Sequence, residues 1–339
     1  MPEIMANDTL RKRICNGILT GSLSHAYVIE GSAGSGKHTI AMMTAAAVSC
    51  LNRDKDGFPL PCLECASCRK ILGFKSPDVI TVGSEGKATV GVDTVRFIRE
   101  DVCIVPNELD CKTYIIEDAD KMTVQAQNAF LLTLEEPPSY AMFILLCENS
   151  GALLETIRSR APVLRTEPVP TELIDSYITS HDRRAAQMKA SEPLLYAELL
   201  ICASNGIGRA LSLLDRKNFT PVLEKRALAT DFLSAAINRR RSEDILAVLG
   251  RFSSKREDVA LELSYIYSAL RDLIVLKKNE SVPLCFFCDR DAAIDLCDRT
   301  SASSLFRLSE AVSTASSEIS RNANVRLTLT KLAASTEIL

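Results

Sequence analysis

The chain has 339 residues, a formal net charge of −3 and 47% hydrophobic residues, which suits two or three globular domains. No apolar run approaches the roughly 20 residues that span a bilayer, and residues 1–8 lack the apolar stretch of a secretory signal. We therefore expect a cytoplasmic protein without a membrane segment. A sequence pI of about 5.8 excludes a global positive field for DNA binding, so any contact with nucleic acid must be local.

The first half of the chain alternates strand-like and helix-like segments. Apolar runs predict strands at 26–30, 79–82, 114–116 and 142–147, and the segments between them predict helices at 39–48, 92–102 and 125–134. Strands that alternate with helices predict a parallel sheet covered on both faces.

Two proline-containing segments predict domain boundaries. Pro168-Val169-Pro170 cannot continue a helix or strand, and Thr171 is placed to cap a new helix. Thr220-Pro221 has the pattern of an N-cap followed by proline at the first helical position. Helices are then predicted at 222–252, 258–276, 304–319 and 325–338. The predicted domains are 1–168, a small helical domain at 169–219 and an all-helical domain at 220–339.

A glycine-rich loop follows the first predicted strand. The segment from Gly31 to Lys37, GSAGSGK, fits the first seven positions of a P-loop, in which Gly31, Gly34, Gly36 and Lys37 cradle phosphate at a helix N-terminus. The eighth position, normally the serine or threonine that ligates Mg²⁺, is His38. Thr39 lies about 100° around the helix and cannot simply take over this role. The loop predicts binding of ATP, with altered handling of Mg²⁺.

The strand at 114–116 ends in two acids, where a P-loop protein holds Mg²⁺ and polarises water. The order is Glu117 then Asp118, rather than the usual aspartate then glutamate. We interpret His38 and this exchange as two independent changes that impair hydrolysis while leaving nucleotide binding possible.

Four cysteines have the spacing of a zinc site. Cys62, Cys65 and Cys68 are separated by two residues each, and Cys50 lies upstream. The charges at 53–56 with Pro59 and Pro61 indicate a polar loop in which buried thiols are not expected, which favours a structural Zn²⁺ held by four thiolates within an insertion at 50–68.

Two other clusters carry weaker signals. Cys285 and Cys288 form a second C-x-x-C near Cys297 but lack a fourth ligand, and we interpret this group as core packing. The basic run at 239–241 is interpreted as a solvated helix face.

Several motifs together resemble the delta-prime family of bacterial DNA polymerase III clamp-loader subunits, with gamma/tau as a close relative. They are SHAY at 24–27, the P-loop, the cysteine insertion, IIEDADKM at 115–122, NAFLLTLEEPP at 128–138 and TIRSR at 156–160. The resemblance covers most of the chain and is strongest between residues 24 and 160. The family's Ser-Arg-Cys motif reads Ser159-Arg160-Ala161 here, and the interval from Cys50 to Cys62 is longer than usual.

The resemblance implies an α/β AAA+ P-loop module, a helical lid and an all-α C-terminal collar with the pattern Asn322 to Leu327. It also implies a hetero-pentamer with gamma/tau and delta subunits, which acts on the sliding clamp and primed DNA. Arg160 would then be an arginine finger for a neighbouring ATPase. Asn149 and Arg209, the latter as a second sensor from the lid, are candidate nucleotide contacts.

Two alternatives remain open at this point. A gamma/tau-like active ATPase would require turnover despite His38 and the exchanged acids. A zinc-containing nucleic-acid-binding protein with a vestigial P-loop would require strongly salt-dependent DNA affinity.

Overall fold

The computed structural model describes residues 6–53, 61–84, 86, 88–204, 206–238 and 242–336. The chain divides into two compact units, Met1–Tyr177 with Asn205–Arg209, and Ile178–Ser204 with Ala210–Leu339. The basic run at 239–241 and residues 54–60 of the cysteine insertion, including Pro59, lie outside the described residues. The division into three domains stays a prediction.

Strands and helices follow the expected order. The strands are β1 (Ala26–Glu30), β2 (Val79–Val82), β3 (Lys112–Ile116), β4 (Ala141–Cys147) and β5 (Val163–Arg165). The helices are α1 (Asp8–Leu19), α2 (Lys37–Val48), α3 (Ala66–Leu72), α4 (Val92–Asp101), α5 (Val124–Glu135), α6 (Glu155–Arg158), α7 (Thr171–His181), α8 (Arg183–Ser191), α9 (Pro193–Cys202), α10 (Ile207–Leu213), α11 (Arg216–Ile237), α12 (Ser242–Leu249), α13 (Arg256–Leu276), α14 (Arg290–Asp298), α15 (Ala302–Ser320) and α16 (Val325–Thr336).

The first unit is built on a parallel sheet with strand order β2-β3-β4-β1-β5. Alternate residues of β4 face opposite sides, as the strand period of two requires. Met142 and Ile144 pack with α1, α2 and α3, whereas Phe143 and Leu145 pack with α4, α5 and α6. The predicted architecture, a parallel sheet with flanking helices followed by further helices, is therefore confirmed.

One predicted helix start is wrong. Pro221 lies inside α11, which begins at Arg216 and is capped by Asp215, whose side chain accepts from the backbone N–H of Lys217 at 2.9 Å. Because proline has no backbone N–H, Pro221 removes one intrahelical hydrogen bond, and α11 continues past it. The boundary predicted at 219/220 thus falls within a continuous helix. The single helix predicted at 222–252 is also two helices, α11 and α12.

A buried carboxylate organises part of the second unit. Asp272 of α13 has no solvent exposure. Its oxygens accept from the backbone N–H groups of Cys285, Phe286 and Phe287 at 2.7 to 3.2 Å. The aspartate therefore fixes the segment before α14 against α13. In the described part of the chain, no helix is long and apolar enough to cross a membrane.

We expect Asp272→Ala to destabilise the second unit by roughly 3 kcal/mol or more, because it leaves the buried N–H of Phe286 and the part-buried N–H groups of Cys285 and Phe287 without their acceptor. Urea unfolding monitored by circular dichroism measures the change. Asp298→Ala, at an exposed position at the end of α14, is the matched control and should change the unfolding free energy by less than about 0.5 kcal/mol. Equal effects of the two substitutions would contradict the structural role of Asp272.

Candidate functional site

The loop between β1 and α2 has the backbone of a phosphate-binding loop. Gly34 and Gly36 have φ angles of +74° and +88°, which side chains rarely adopt. Because α2 begins at Lys37, its first N–H groups and its dipole favour an anion at this end. The Lys37 ammonium donates to the carbonyl oxygens of Gly31 at 2.6 Å and Ser32 at 2.9 Å. These two neutral carbonyl oxygens hold the Lys37 ammonium at the loop. A phosphate bound there would be a stronger acceptor for the ammonium than either carbonyl, because it is charged.

A cleft of about 400 Å³ opens beside the loop, within the size range of ligand sites. Several residues predicted from the sequence line it: Gly34, Gly36, Lys37, His38, Thr39, Glu117 and Asp118. The hydroxyl of Ser35 is buried, and no described residue is its partner. A buried hydroxyl without a partner inside such a loop suits an oxygen-rich ligand.

His38 and Glu117 contact each other directly. Nδ1 of the His38 imidazole lies 2.8 Å from Oε1 of Glu117, the distance of an N–H donated to a carboxylate. The two changes interpreted above as independent therefore form one interaction. At this position the described residues do not offer the usual hydroxyl ligand for Mg²⁺, and the acid that would polarise water is engaged by the imidazole.

The second acid of the pair is also engaged. Asp118 accepts from the Ser84 hydroxyl at 2.6 Å and from the Lys121 ammonium at 3.1 Å. These hydrogen bonds hold the pKa of Asp118 below its ordinary value. Asp120, which the sequence interpretation missed, also lines the cleft and accepts from the backbone N–H of Glu148 at 3.1 Å. Its position three residues after Glu117 was the available signal.

Three other predicted nucleotide contacts lie beside the cleft rather than among its lining residues. The side chain of Asn149 accepts from the Gly151 N–H at 2.9 Å and caps a short turn. Arg209 approaches the loop closely, because a Cβ atom added at Gly34 would lie 2.3 Å from the backbone nitrogen of Arg209. Gly31 supplies the carbonyl that accepts from Lys37. The nucleotide roles of Asn149, Arg209 and Gly31 stay predictions.

Arg160 lies on the first unit, just after α6. Its guanidinium donates to Oε1 of Glu135 at 2.7 Å and to the carbonyl oxygen of Thr156 at 2.9 Å. The side chains of Arg160 and Glu135 are 35% and 44% exposed. Within the first unit, the guanidinium therefore forms an ion pair with Glu135.

The four predicted cysteines converge at one point. Their sulfur atoms all lie within 4.8 Å of one another, and those of Cys62 and Cys68 are 4.0 Å apart. A tetrahedral zinc with Zn–S bonds of about 2.3 Å requires sulfur atoms about 3.8 Å apart. The donor set and its spacing therefore fit a structural Zn²⁺ held by Cys50, Cys62, Cys65 and Cys68.

The cluster is more buried than expected from its polar sequence context. Cys50, Cys62 and Cys68 are buried because they pack on the apolar core beneath α2 and α3. Burial raises the pKa of Cys62, but N–H donors from Cys65 and Glu64 outweigh it and lower the pKa to about 6. The lowered pKa favours the thiolate form of Cys62, which is the form that ligates zinc.

The second C-x-x-C is only partly a packing feature. Cys297 is buried in the core of the second unit, as predicted, but Cys285 and Cys288 are exposed. The buried member of this segment is Phe286 instead.

The parallel sheet, the phosphate-binding loop and the strand-end acids define a P-loop module. Residues 6–170 match a family model described as "DNA polymerase III, delta subunit". This part of the chain is therefore similar to a DNA polymerase III subunit domain, and the relatives that match the chain are named as delta-prime, gamma and tau subunits of that polymerase.

Relatives of both types match the chain. It is 33% identical over 171 residues to the DNA polymerase III subunit delta-prime of Bacillus subtilis, covering 50% of each chain. It is 29% identical over 288 residues to subunit tau of the same organism, covering 81% of this chain and 50% of tau. The matches thus span half the length of these two relatives. A gamma subunit-related protein of Thermotoga maritima superposes with a TM-score of 0.45 at 21% identity, covering 98% of each chain.

We expect Lys37→Ala to weaken ATP binding by about 10- to 100-fold, because a charged hydrogen bond contributes about 1.5–3 kcal/mol. Titration calorimetry on the full chain measures the affinity. Lys12→Ala, at an exposed position on α1, is the control and should bind as the wild type does. Equal ATP affinity in the wild type and Lys37→Ala would mean that the loop is vestigial.

Elemental analysis should find about one zinc per chain. Cys62→Ser should lose the metal and several kcal/mol of stability in the first unit, since structural zinc contributes folding free energy. Cys103→Ser, at an exposed cysteine outside the cluster, should retain both. Zinc-free wild-type protein of unchanged stability would refute the assignment.

Proposed function

We propose that the chain is a delta-prime-like subunit of the DNA polymerase III clamp loader, acting in the cytoplasm with gamma/tau and delta subunits in a hetero-pentamer. Its own ATPase activity is weak or absent, and it helps neighbouring ATPases load the sliding clamp onto primed DNA. The AAA+ module at 1–168, the lid at 169–219 and the collar at 220–339 are the domains of this proposal.

The observation that carries this proposal is the contact between His38 and Glu117. An attacking water needs an acid that is available to orient it, and the transferring phosphoryl group needs Mg²⁺ to neutralise its charge. Here the residue at the Mg²⁺-ligand position binds the first strand-end acid at 2.8 Å, and Ser84 and Lys121 engage the second. A site arranged in this way retains the phosphate loop, while both of its strand-end acids are already engaged by other side chains.

Arg160 supports a role at a neighbouring site. An exposed ion pair such as that with Glu135 is worth only about 0–1 kcal/mol, so the guanidinium can exchange this carboxylate for the phosphate of a nucleotide on the next subunit at little cost. An arginine finger contributes about 10³–10⁵ in rate in comparable enzymes.

A gamma/tau-like ATPase is the second candidate, because the match to tau extends over 81% of this chain and the match to delta-prime over 50%. The two candidates differ in turnover by the isolated chain. Brisk ATP hydrolysis that requires Mg²⁺ favours the gamma/tau role, whereas binding without turnover favours the delta-prime role.

Reconstitution with the gamma/tau and delta subunits tests the proposal directly. We expect a stoichiometric complex with DNA-stimulated ATP hydrolysis. Arg160→Ala should assemble normally and lose most of the turnover at the adjacent site, because the transition-state charge is no longer neutralised.

Two variants separate the finger role from a structural one. Arg158→Ala removes an exposed arginine from the same short segment and should retain full turnover. Glu135→Ala removes the internal partner of Arg160 and should also retain turnover, since it leaves the guanidinium in place. Failed assembly of Arg160→Ala, or equal loss in Glu135→Ala, would indicate that the ion pair is structural.

A further inference from the structure

The end of helix α3 contains an unusual residue. The N–H of Phe74 donates to the Ile71 carbonyl at 3.0 Å, and the N–H of Lys75 donates to the Lys70 carbonyl at 2.9 Å. This pair of bonds is a Schellman motif, in which the residue at the Phe74 position is left-handed and usually glycine. Phe74 has φ of +55°, and the available glycine, Gly73, lies one position earlier. A glycine at position 74 would end the helix in the same way without this backbone strain, so the helix ending alone does not explain the phenylalanine.

The aromatic ring of Phe74 is not buried in the core. Its relative exposure is 73%, so burial of the ring does not offset the strain. The ring instead stacks on the imidazole of His38, with centroids 5.9 Å apart and planes inclined by 22°. His38 thus lies between two partners, the Phe74 ring and the Glu117 carboxylate.

Helix α3 begins within the cysteine cluster. Cys65 caps its first turn by accepting from the Cys68 N–H at 3.4 Å. Cys68 and Ile71 on the same helix have no solvent exposure. Because α3 has only seven residues, a change in the cluster at one end reaches Phe74 at the other end within two helical turns.

We propose that Phe74 is a positioning residue, which holds the His38 imidazole against Glu117 and thereby couples the metal state of the cysteine cluster to the nucleotide cleft. The contacts run from Cys65 and Cys68 along α3 to Phe74, and from Phe74 through His38 to Glu117. The coupling concerns residues of the first unit and does not depend on which clamp-loader role the chain has.

Proton NMR of the histidine rings in the full chain tests this inference. The chain has three histidines, and comparison with His38→Asn identifies the signals of His38. A stacked aromatic ring shifts these signals upfield. Phe74→Gly should move them downfield, while its melting temperature should not fall, because glycine relieves the left-handed strain. Phe74→Tyr should retain the wild-type shift.

The metal provides the second arm of the experiment. Removing zinc from the wild type should move the His38 signals towards those of Phe74→Gly, and adding zinc back should restore them. In Phe74→Gly, removing and restoring zinc should leave the His38 signals in place. A metal effect that is transmitted through the Phe74 ring cannot reach His38 once that ring is absent, so the two changes are not additive. If removing zinc unfolds the first unit, zinc can instead be exchanged for the larger cadmium ion, which should displace α3 without emptying the site. The exchange should then move the His38 signals in the wild type and leave them in place in Phe74→Gly.

Phe97→Ala is the control, because Phe97 is a half-exposed phenylalanine on α4 and its removal should not affect His38. Unchanged His38 signals in Phe74→Gly would refute the positioning role. A metal effect of equal size in the wild type and Phe74→Gly would show that the cysteine cluster does not act through Phe74.

Discussion

The parallel pairing of β1 and β3 with the central strand β4 is the constraint on which the candidate site depends. Glu30 lies opposite Cys147, and Ile116 lies opposite Leu145. The residues that follow these strands therefore meet at one edge of the sheet, as ligand sites of open α/β sheets do. Both faces of β4 are buried. A slip of one residue would move every side chain of the strand into the core on the opposite face, and this packing constraint maintains the register.

Because of this strand pairing, His38, the residue after Lys37, lies near the carboxyl end of β3. A hydroxyl there would face a cation, whereas an imidazole is long enough to reach the first acid of the strand end. The pair of His38 and Glu117 is about 36% and 45% exposed, so its contribution to fold stability is small. In the proposed function its consequence is chemical, because it occupies the carboxylate that we propose would otherwise orient water.

Much of the first unit could be predicted from periodicity and motif spacing. Four of the strands and the four converging cysteines were found this way, because apolar runs and C-x-x-C spacing are local signals. The three-residue strand β5 was too short to give a periodic signal. The contact of His38 with Glu117 joins residues 79 positions apart, and the Glu135 partner of Arg160 lies 25 positions away. Neither pairing leaves a pattern in a single sequence, since tertiary packing decides both.

In the segment that contains Arg160, buried apolar residues alternate with the partly exposed charged side chain. Ile157 and Ala161 have no solvent exposure and pack in the core on one face of the sheet, and burying a side chain as large as that of Ile157 is worth up to about 3 kcal/mol. The ion pair of Arg160 with Glu135, at 35% and 44% exposure, contributes about 0–1 kcal/mol. Apolar packing therefore sets the position of the segment, and the guanidinium can change partners without moving the backbone that presents it.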